Sequence, residues 1–218
     1  MKEHLNDETV EGYRIKFVLI GDKKVGKTTI VNHYTNNKVI QKYNETPETK
    51  LYKAKAKINE KNFIIKIIDT PSNKQFLNII KGEYQNANYI LIVFDLTNRE
   101  TFLSLNNWIN HCRSVQNQNM DLILIGNKSD LNQERAVSVG EAKIFASNNH
   151  IKYYEISAYN KNEIINIFDN AISDLFNQIN ENYNSLASTQ ILSFEKGTEL
   201  TINLSKNNNR DNKKCCCC

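Results

Sequence analysis

The chain has 218 residues and a mass of 25.2 kDa, with 40% hydrophobic and 24% charged residues and a formal net charge of +4. That length builds a core without disulfide or metal staples, and 28 basic against 24 acidic residues gives no case for nucleic acid without a local basic patch. No run of eighteen apolar residues exists, so the sequence carries no transmembrane-helix signal.

The first twelve residues carry Glu3, Asp7, Glu8 and Glu11 and no apolar block, and read as neither a secretory signal nor a transit peptide. Lys2 after Met1 excludes N-myristoylation. Strand-like apolar runs follow at residues 15–20, 63–68, 89–95, 122–125 and, more briefly, 153–156. Helical spacing of apolar residues fills most of the gaps: Ile30, Val31 and Tyr34; Phe102, Leu105, Trp108 and Ile109; Ala142, Ile144 and Phe145; and a long set from Ile164 to Phe176. Residues 51–58 alternate polar and apolar, as a half-exposed edge strand does, and a linker over 59–62 makes a hairpin with the strand after it. Continuous apolar strands alternating with helices predict an α/β fold. We expect a six-stranded, mostly parallel sheet with one antiparallel edge pair and about five helices on both faces. In such sheets ligands bind at the carboxyl ends of the strands.

After about Gln178 the helical pattern dissolves into polar sequence that includes Asn207, Asn208 and Asn209. The expected organisation is therefore an N-terminal extension over 1–12, a nucleotide-binding domain over 13–180 and a flexible tail over 181–218. Asparagine occurs 34 times, which reads as compositional bias and weakens any motif built from Asn and Lys. Cys112 stands alone in the body and reads as a small buried hydrophobe. Cys215, Cys216, Cys217 and Cys218 are neither a disulfide framework nor a spaced zinc site.

The first strand runs into Gly21-Asp22-Lys23-Lys24-Val25-Gly26-Lys27-Thr28, the GxxxxGK(S/T) spacing of a P-loop between a strand and a helix. Its glycines let successive backbone N–H groups turn toward phosphate oxygens, and the helix N-terminus adds partial positive charge. Lys27 supplies a cation to the β and γ phosphates, and the Thr28 hydroxyl is a ligand for Mg²⁺. Gly21, Lys24, Val25, Gly26, Lys27, Thr28 and Thr29 are thus candidate nucleotide contacts. The 63–68 strand ends at Asp69-Thr70, where an aspartate holds Mg²⁺ through a water; a plain turn-forming Asp-Thr is the alternative.

The 122–125 strand leads into Gly126-Asn127-Lys128-Ser129-Asp130. The Asp130 carboxylate suits guanine, whose N1–H and amino group are both donors, whereas adenine would leave it poorly paired. The Lys128 stem suits the purine face. Ser157-Ala158, after the last short strand, offers a backbone N–H for the guanine O6. Each of these two motifs is weak alone, but together, in order after the P-loop, they specify a guanine nucleotide.

With these residues in order the chain resembles the small GTPases of the Ras superfamily, over about residues 13–178, and the Rab branch in particular. Ile92-Val93-Phe94-Asp95-Leu96-Thr97, Glu100-Thr101-Phe102, Trp108 and the terminal cysteines carry the Rab likeness. The resemblance implies a GTP/GDP switch with Mg²⁺ that hydrolyses GTP and works with an exchange factor, a GTPase-activating protein, an escort or dissociation-inhibitor protein and effectors. It implies a monomer with no nucleic-acid partner. It places Tyr43 over the phosphates and makes Thr46, eighteen residues after Thr28, the Mg²⁺-sensing threonine. Asp95 matches no nucleotide ligand of the family.

Departures cluster in the switches. The family's Ala-Gly-Gln-Glu after the Asp-Thr is replaced by Pro71-Ser72-Asn73-Lys74. Ser72 keeps the N–H that the family glycine gives to the γ phosphate but loses its freedom at positive φ. Asn73, the candidate catalytic residue beside Lys27, carries the family glutamine's amide on a stem one methylene shorter. Pro47-Glu48 replaces Ile-Gly, Val39 stands for an aromatic that packs on the guanine, and Tyr159 stands for the family lysine near the base. The cysteine end resembles the double-cysteine ends of Rab proteins, which implies two geranylgeranyl groups on Cys217 and Cys218 and attachment to the cytoplasmic face of an intracellular membrane. Ile202 and Leu204 resemble the aliphatic pair that docks on the prenylation escort. Two rivals remain at this stage: a GTP-binding adaptor that does not hydrolyse, and a P-loop kinase or ATPase, against which Asp130 argues.

Overall fold

The computed structural model describes residues 12–36, 46, 48–72, 77–115 and 120–187. Tyr43, Asn73, Cys217 and Cys218, with Val39 and Pro47, lie outside the described residues.

Six strands form one sheet: β1 (Tyr13–Ile20), β2 (Lys50–Ile58), β3 (Lys61–Asp69), β4 (Tyr89–Asp95), β5 (Asp121–Asn127) and β6 (Lys152–Ile156), in the order β2-β3-β1-β4-β5-β6. Only the β2–β3 pair is antiparallel. The helices are α1 (Lys27–Asn36), α2 (Leu77–Glu83), α3 (Arg99–Leu103), α4 (Leu105–Arg113), α5 (Val139–Asn148) and α6 (Lys161–Ala187).

Residues of β1 alternate between two cores. Ile15, Phe17 and Leu19 pack with Val31, Ile164 and Phe168 of α1 and α6. Val18 and Ile20 pack with Ile80, Trp108, Ile109 and Ala142 of α2, α4 and α5. Burial on both faces is why these strands read as unbroken apolar runs. Cys112 is fully buried in the second core, and burial pushes its thiol up to about 12, as a packing residue requires. β2 alternates as its sequence predicts: Tyr52, Ala54, Ala56 and Ile58 pack against the first core while Lys53, Lys55 and Lys57 face out.

Four details differ from the sequence reading. The hairpin turn is only Asn59-Glu60, both at positive φ (49° and 62°), because β3 starts at Lys61, which pairs with Ile58. Two such residues form the tight turn whose twist matches that of the flanking strands. The helix predicted around 102–109 is two helices that meet at Ser104, whose hydroxyl reaches both Asp22 and the Thr101 carbonyl. This makes six α-helices among the described residues rather than five. Ile144 is 64% exposed, and α5 buries Ala142 and Ala146 instead. Finally, α6 runs nine residues past Gln178, to Ala187. Ile179, beside Tyr13 and Phe176, continues the spacing set by Ile172, Leu175 and Phe176.

The strand order reverses at β1, which lies between β3 and β4. That switch point places the loops after β1, β3, β5 and β6 along one edge of the sheet.

Candidate functional site: a phosphate cradle joined to a base cleft

Residues 21–26 link β1 to α1, and two glycines make the turn possible. Gly21 has φ 136° and a Cβ there would lie 2.1 Å from the Val93 carbonyl oxygen; Gly26 has φ 100° and its Cβ would lie 2.2 Å from Asn127 Nδ2. Lys24 also sits at positive φ, 63°, so the loop curls in the manner of an anion nest. Val25 is fully buried and Thr29 lies in the first turn of α1, beside Lys27 and Thr28.

Lys27 is only 5% exposed. Its ammonium donates to the Gly21 carbonyl at 2.8 Å, the Asp22 carbonyl at 2.9 Å and Ser72 Oγ at 2.7 Å. Burial lowers its pKa to about 8, opposed by the charges of Asp69 and Asp22. Asp22 is itself held from across the fold. Its carboxylate accepts from Ser104 Oγ at 2.5 Å and from the Trp108 indole N–H at 3.0 Å. The break between α3 and α4 thus points a hydroxyl and an indole at the phosphate loop.

Thr28 Oγ1 donates to Asp69 Oδ2 at 2.6 Å and lies 2.9 Å from Thr46 Oγ1. Asp69 is fully buried, burial raises its pKa against the opposing effects of Thr28, Lys27 and Lys50, and its Oδ1 is buried with no hydrogen-bond partner. A buried carboxylate with an orphaned oxygen, beside two hydroxyls, is an all-oxygen set that fits a hard divalent cation. Among the described residues no group of three His, Cys, Asp or Glu could cage a metal. The set therefore suits an ion that keeps water and phosphate as its other ligands, as Mg²⁺ does.

Asn127 ends β5 and is 1% exposed. Its Nδ2 donates to the Val25 carbonyl at 2.7 Å, and its Oδ1 accepts from the Ala158 N–H at 2.9 Å. One amide therefore ties the phosphate loop to the loop after β6. His33 of α1 adds a second tie, Nδ1 to the Ala158 carbonyl at 2.6 Å; a carbonyl only accepts, so Nδ1 carries the proton. Ser157 N–H donates to Glu163, and Tyr159 N–H donates to Ser157 Oγ. An open cleft of about 480 Å³ lies here, bordered by Ser129, Asp130, Ser157, Tyr159 and Glu163. Lys128, next to Ser129 in the chain, has φ 69° and its ammonium lies 2.5 Å from Asp95 Oδ2. Asp95 Oδ1 accepts from both the N–H and the hydroxyl of Thr97.

The sequence model of the Ras family matches residues 16–177. The chain is 30% identical to Ras-related protein Rab-11C of Dictyostelium discoideum over 167 residues, covering 77% of this chain and 75% of that protein. It is equally identical to Ras-related protein Rab-2B of Dictyostelium discoideum, over 83% and 91% of the two chains, and to Ras-related protein RABA5e of Arabidopsis thaliana, over 91% and 88%. The chain is a Rab-like small GTPase of the Ras family.

In this GTPase, the P-loop residues, Thr46, Asp69 and Ser72 converge on one end of the site, and Asn127, Lys128, Asp130, Ser157, Ala158 and Tyr159 on the other. Four contributors escaped the sequence: Ser104 and Trp108, which hold Asp22, His33, which holds the Ala158 loop, and Asp95, which holds Lys128. A Trp or His on an apolar helix face reads as core, and each is in fact buried. Only the polar atom of each reaches the site.

Proposed function

We propose that this Rab-type GTPase is a membrane-attached GTP/GDP switch of vesicle-mediated transport whose intrinsic hydrolysis is slow. The observation that supports the switch reading is the Asn127 amide, which makes the phosphate cradle and the base cleft one unit. Asp130 reads the guanine edge and the Lys128 stem covers its face; the Ser157 and Ala158 N–H groups expected at O6 are instead paired with Glu163 and Asn127, so this loop borders the cleft without a free N–H for the base. Lys27 places its charge against the β and γ phosphates. Thr28, Thr46 and Asp69 would hold Mg²⁺, which would supply charge neutralisation on the phosphates. Loops carrying Thr46 and Ser72 order with the triphosphate and relax when it is cleaved.

Slow turnover follows from chain chemistry at three positions. Pro71 fixes its own φ, Ser72 lacks a glycine's freedom, and Asn73 is a methylene short for placing the water. The same three residues, Pro71, Ser72 and Asn73, support the second reading, a GTP-binding adaptor that recruits partners without cycling. Nucleotide analysis of the purified protein and single-turnover hydrolysis test both readings. We expect bound GDP or GTP, a slow wild-type rate, and a faster rate in the double variant Ser72→Gly, Asn73→Gln. A wild-type rate ordinary for Rab proteins would refute slow turnover, and no detectable rate even with a GTPase-activating protein would select the adaptor.

The cysteine end supplies the membrane attachment, because Cys215–Cys218 resembles the double-cysteine ends of Rab proteins. Geranylgeranyl groups on Cys217 and Cys218 give two chains, and two are needed because one chain anchors only marginally. Lys213 and Lys214 add about 1 kcal/mol each at an anionic surface. The protein then divides between the cytoplasmic face of an intracellular membrane and a cytosolic pool, partnered by an escort or dissociation inhibitor, an exchange factor and effectors. A chain lacking residues 215–218 is expected in the soluble fraction of lysed cells. Undiminished membrane recovery of that truncation would place the anchor elsewhere.

A further inference from the structure

A lysine ammonium has three N–H donors, and in this structure Lys27 commits all three: to Gly21 O, Asp22 O and Ser72 Oγ, each within 2.9 Å. The first two acceptors belong to the phosphate loop itself. The third comes from the far side of the cleft, on a short, well-fixed mount. Asp69 ends β3 in register with Leu19, the buried Thr70 hydroxyl donates to the Leu19 carbonyl at 2.7 Å, and Pro71 is buried with its φ fixed by its ring. Three residues beyond the strand, Ser72 therefore holds its hydroxyl 2.7 Å from a cation buried to 5% exposure.

A buried ammonium requires acceptors, and the hydroxyl oxygen serves as one in the manner of a phosphate oxygen. A diphosphate must displace one of these three acceptors, whereas a triphosphate, which Lys27 meets at both its β and γ phosphates, must displace two. The Ser72 hydroxyl stands on the β3 side, where the third phosphate must approach. We propose that Ser72 is a specificity-determining residue that competes with the γ phosphate for Lys27 and biases the site toward guanosine diphosphate. The bias is internal to the chain: it sets the resting state of the switch toward the diphosphate form before any regulator acts. The inference rests on the guanine-nucleotide reading of the site and adds a preference between its two ligands.

The test is equilibrium competition binding with the full-length chain and Mg²⁺, using GDP and the slowly hydrolysed analogue GTPγS. Ser72→Ala removes the hydroxyl and keeps the backbone restriction of a side chain, so it separates this effect from loop flexibility. Its preference for GTPγS over GDP should rise about tenfold, the scale of one hydrogen bond to a charged group. The readout is the ratio of the two affinities, and a thermal unfolding midpoint near that of the wild-type chain reports correct folding. Ser72→Thr retains a hydroxyl and should retain the wild-type ratio. An unchanged ratio in Ser72→Ala would overturn the proposal, and so would a fall, which would show the hydroxyl donating to the γ phosphate instead. Failure of the wild-type chain to bind either nucleotide would overturn the underlying reading and this inference with it.

Discussion

Replacing Asn127 by Ala is expected to speed GDP dissociation by about two orders of magnitude. The amide makes two buried hydrogen bonds, to the Val25 carbonyl at 2.7 Å and from the Ala158 N–H at 2.9 Å. Alanine leaves both backbone groups without a partner, and each unsatisfied buried group costs about 1–3 kcal/mol. In the empty protein the two loops can separate and admit water to those groups. With nucleotide bound they are held in place, so most of the penalty falls on the bound state. The cost thus appears as weaker binding more than as a lower melting temperature. Gly26 makes the same point from the other side: a Cβ there would meet Asn127 Nδ2 at 2.2 Å, so the glycine exists to let that amide through. Stopped-flow release of a fluorescent GDP analogue measures the effect. A release rate within threefold of wild type would show that the two ends of the site are not coupled through Asn127.

What the sequence disclosed was whatever repeats along the chain. Strand cores such as 89–95 were legible because burial on both faces demands unbroken apolar runs, and the observed β4 has those bounds. The strand ends were not legible, since Lys61, Asn62 and Asp121 pair through backbone groups that any residue carries. α6 outran its apparent end because Ile179 continued its stripe into mostly polar sequence. α2 left no readable stripe in seven residues. The site divides in the same way. Gly21, Lys27, Thr28 and Asp130 follow fixed spacings and were readable. The supports come from residues 82 to 125 positions apart: Ser104 and Trp108 on Asp22, Asn127 on Val25, and His33 on Ala158. No local pattern encodes such a pairing, because it depends on which strand ends the topology brings together.

At the base end, Asp130→Asn is expected to lower GDP affinity by at least tenfold and to raise affinity for xanthosine diphosphate. Guanine offers two donors on one edge, its N1–H and its amino group, and a carboxylate accepts both. An amide has one oxygen and one NH₂, so it meets one guanine donor and opposes the other with a donor of its own. Xanthine carries a carbonyl where guanine carries the amino group, and there the amide matches. The cleft that Asp130 borders with Ser129, Ser157 and Tyr159 stays open in either case, because the substitution conserves volume. The Lys128–Asp95 ion pair at 2.5 Å does not involve Asp130 and is undisturbed. The exchange of preference, rather than a loss of binding alone, is what distinguishes recognition from damage. Titration of the variant with both diphosphates reads it directly. Equal weakening toward both would mean that Asp130 supports the loop without reading the base, and unchanged GDP affinity would remove it from the base site altogether.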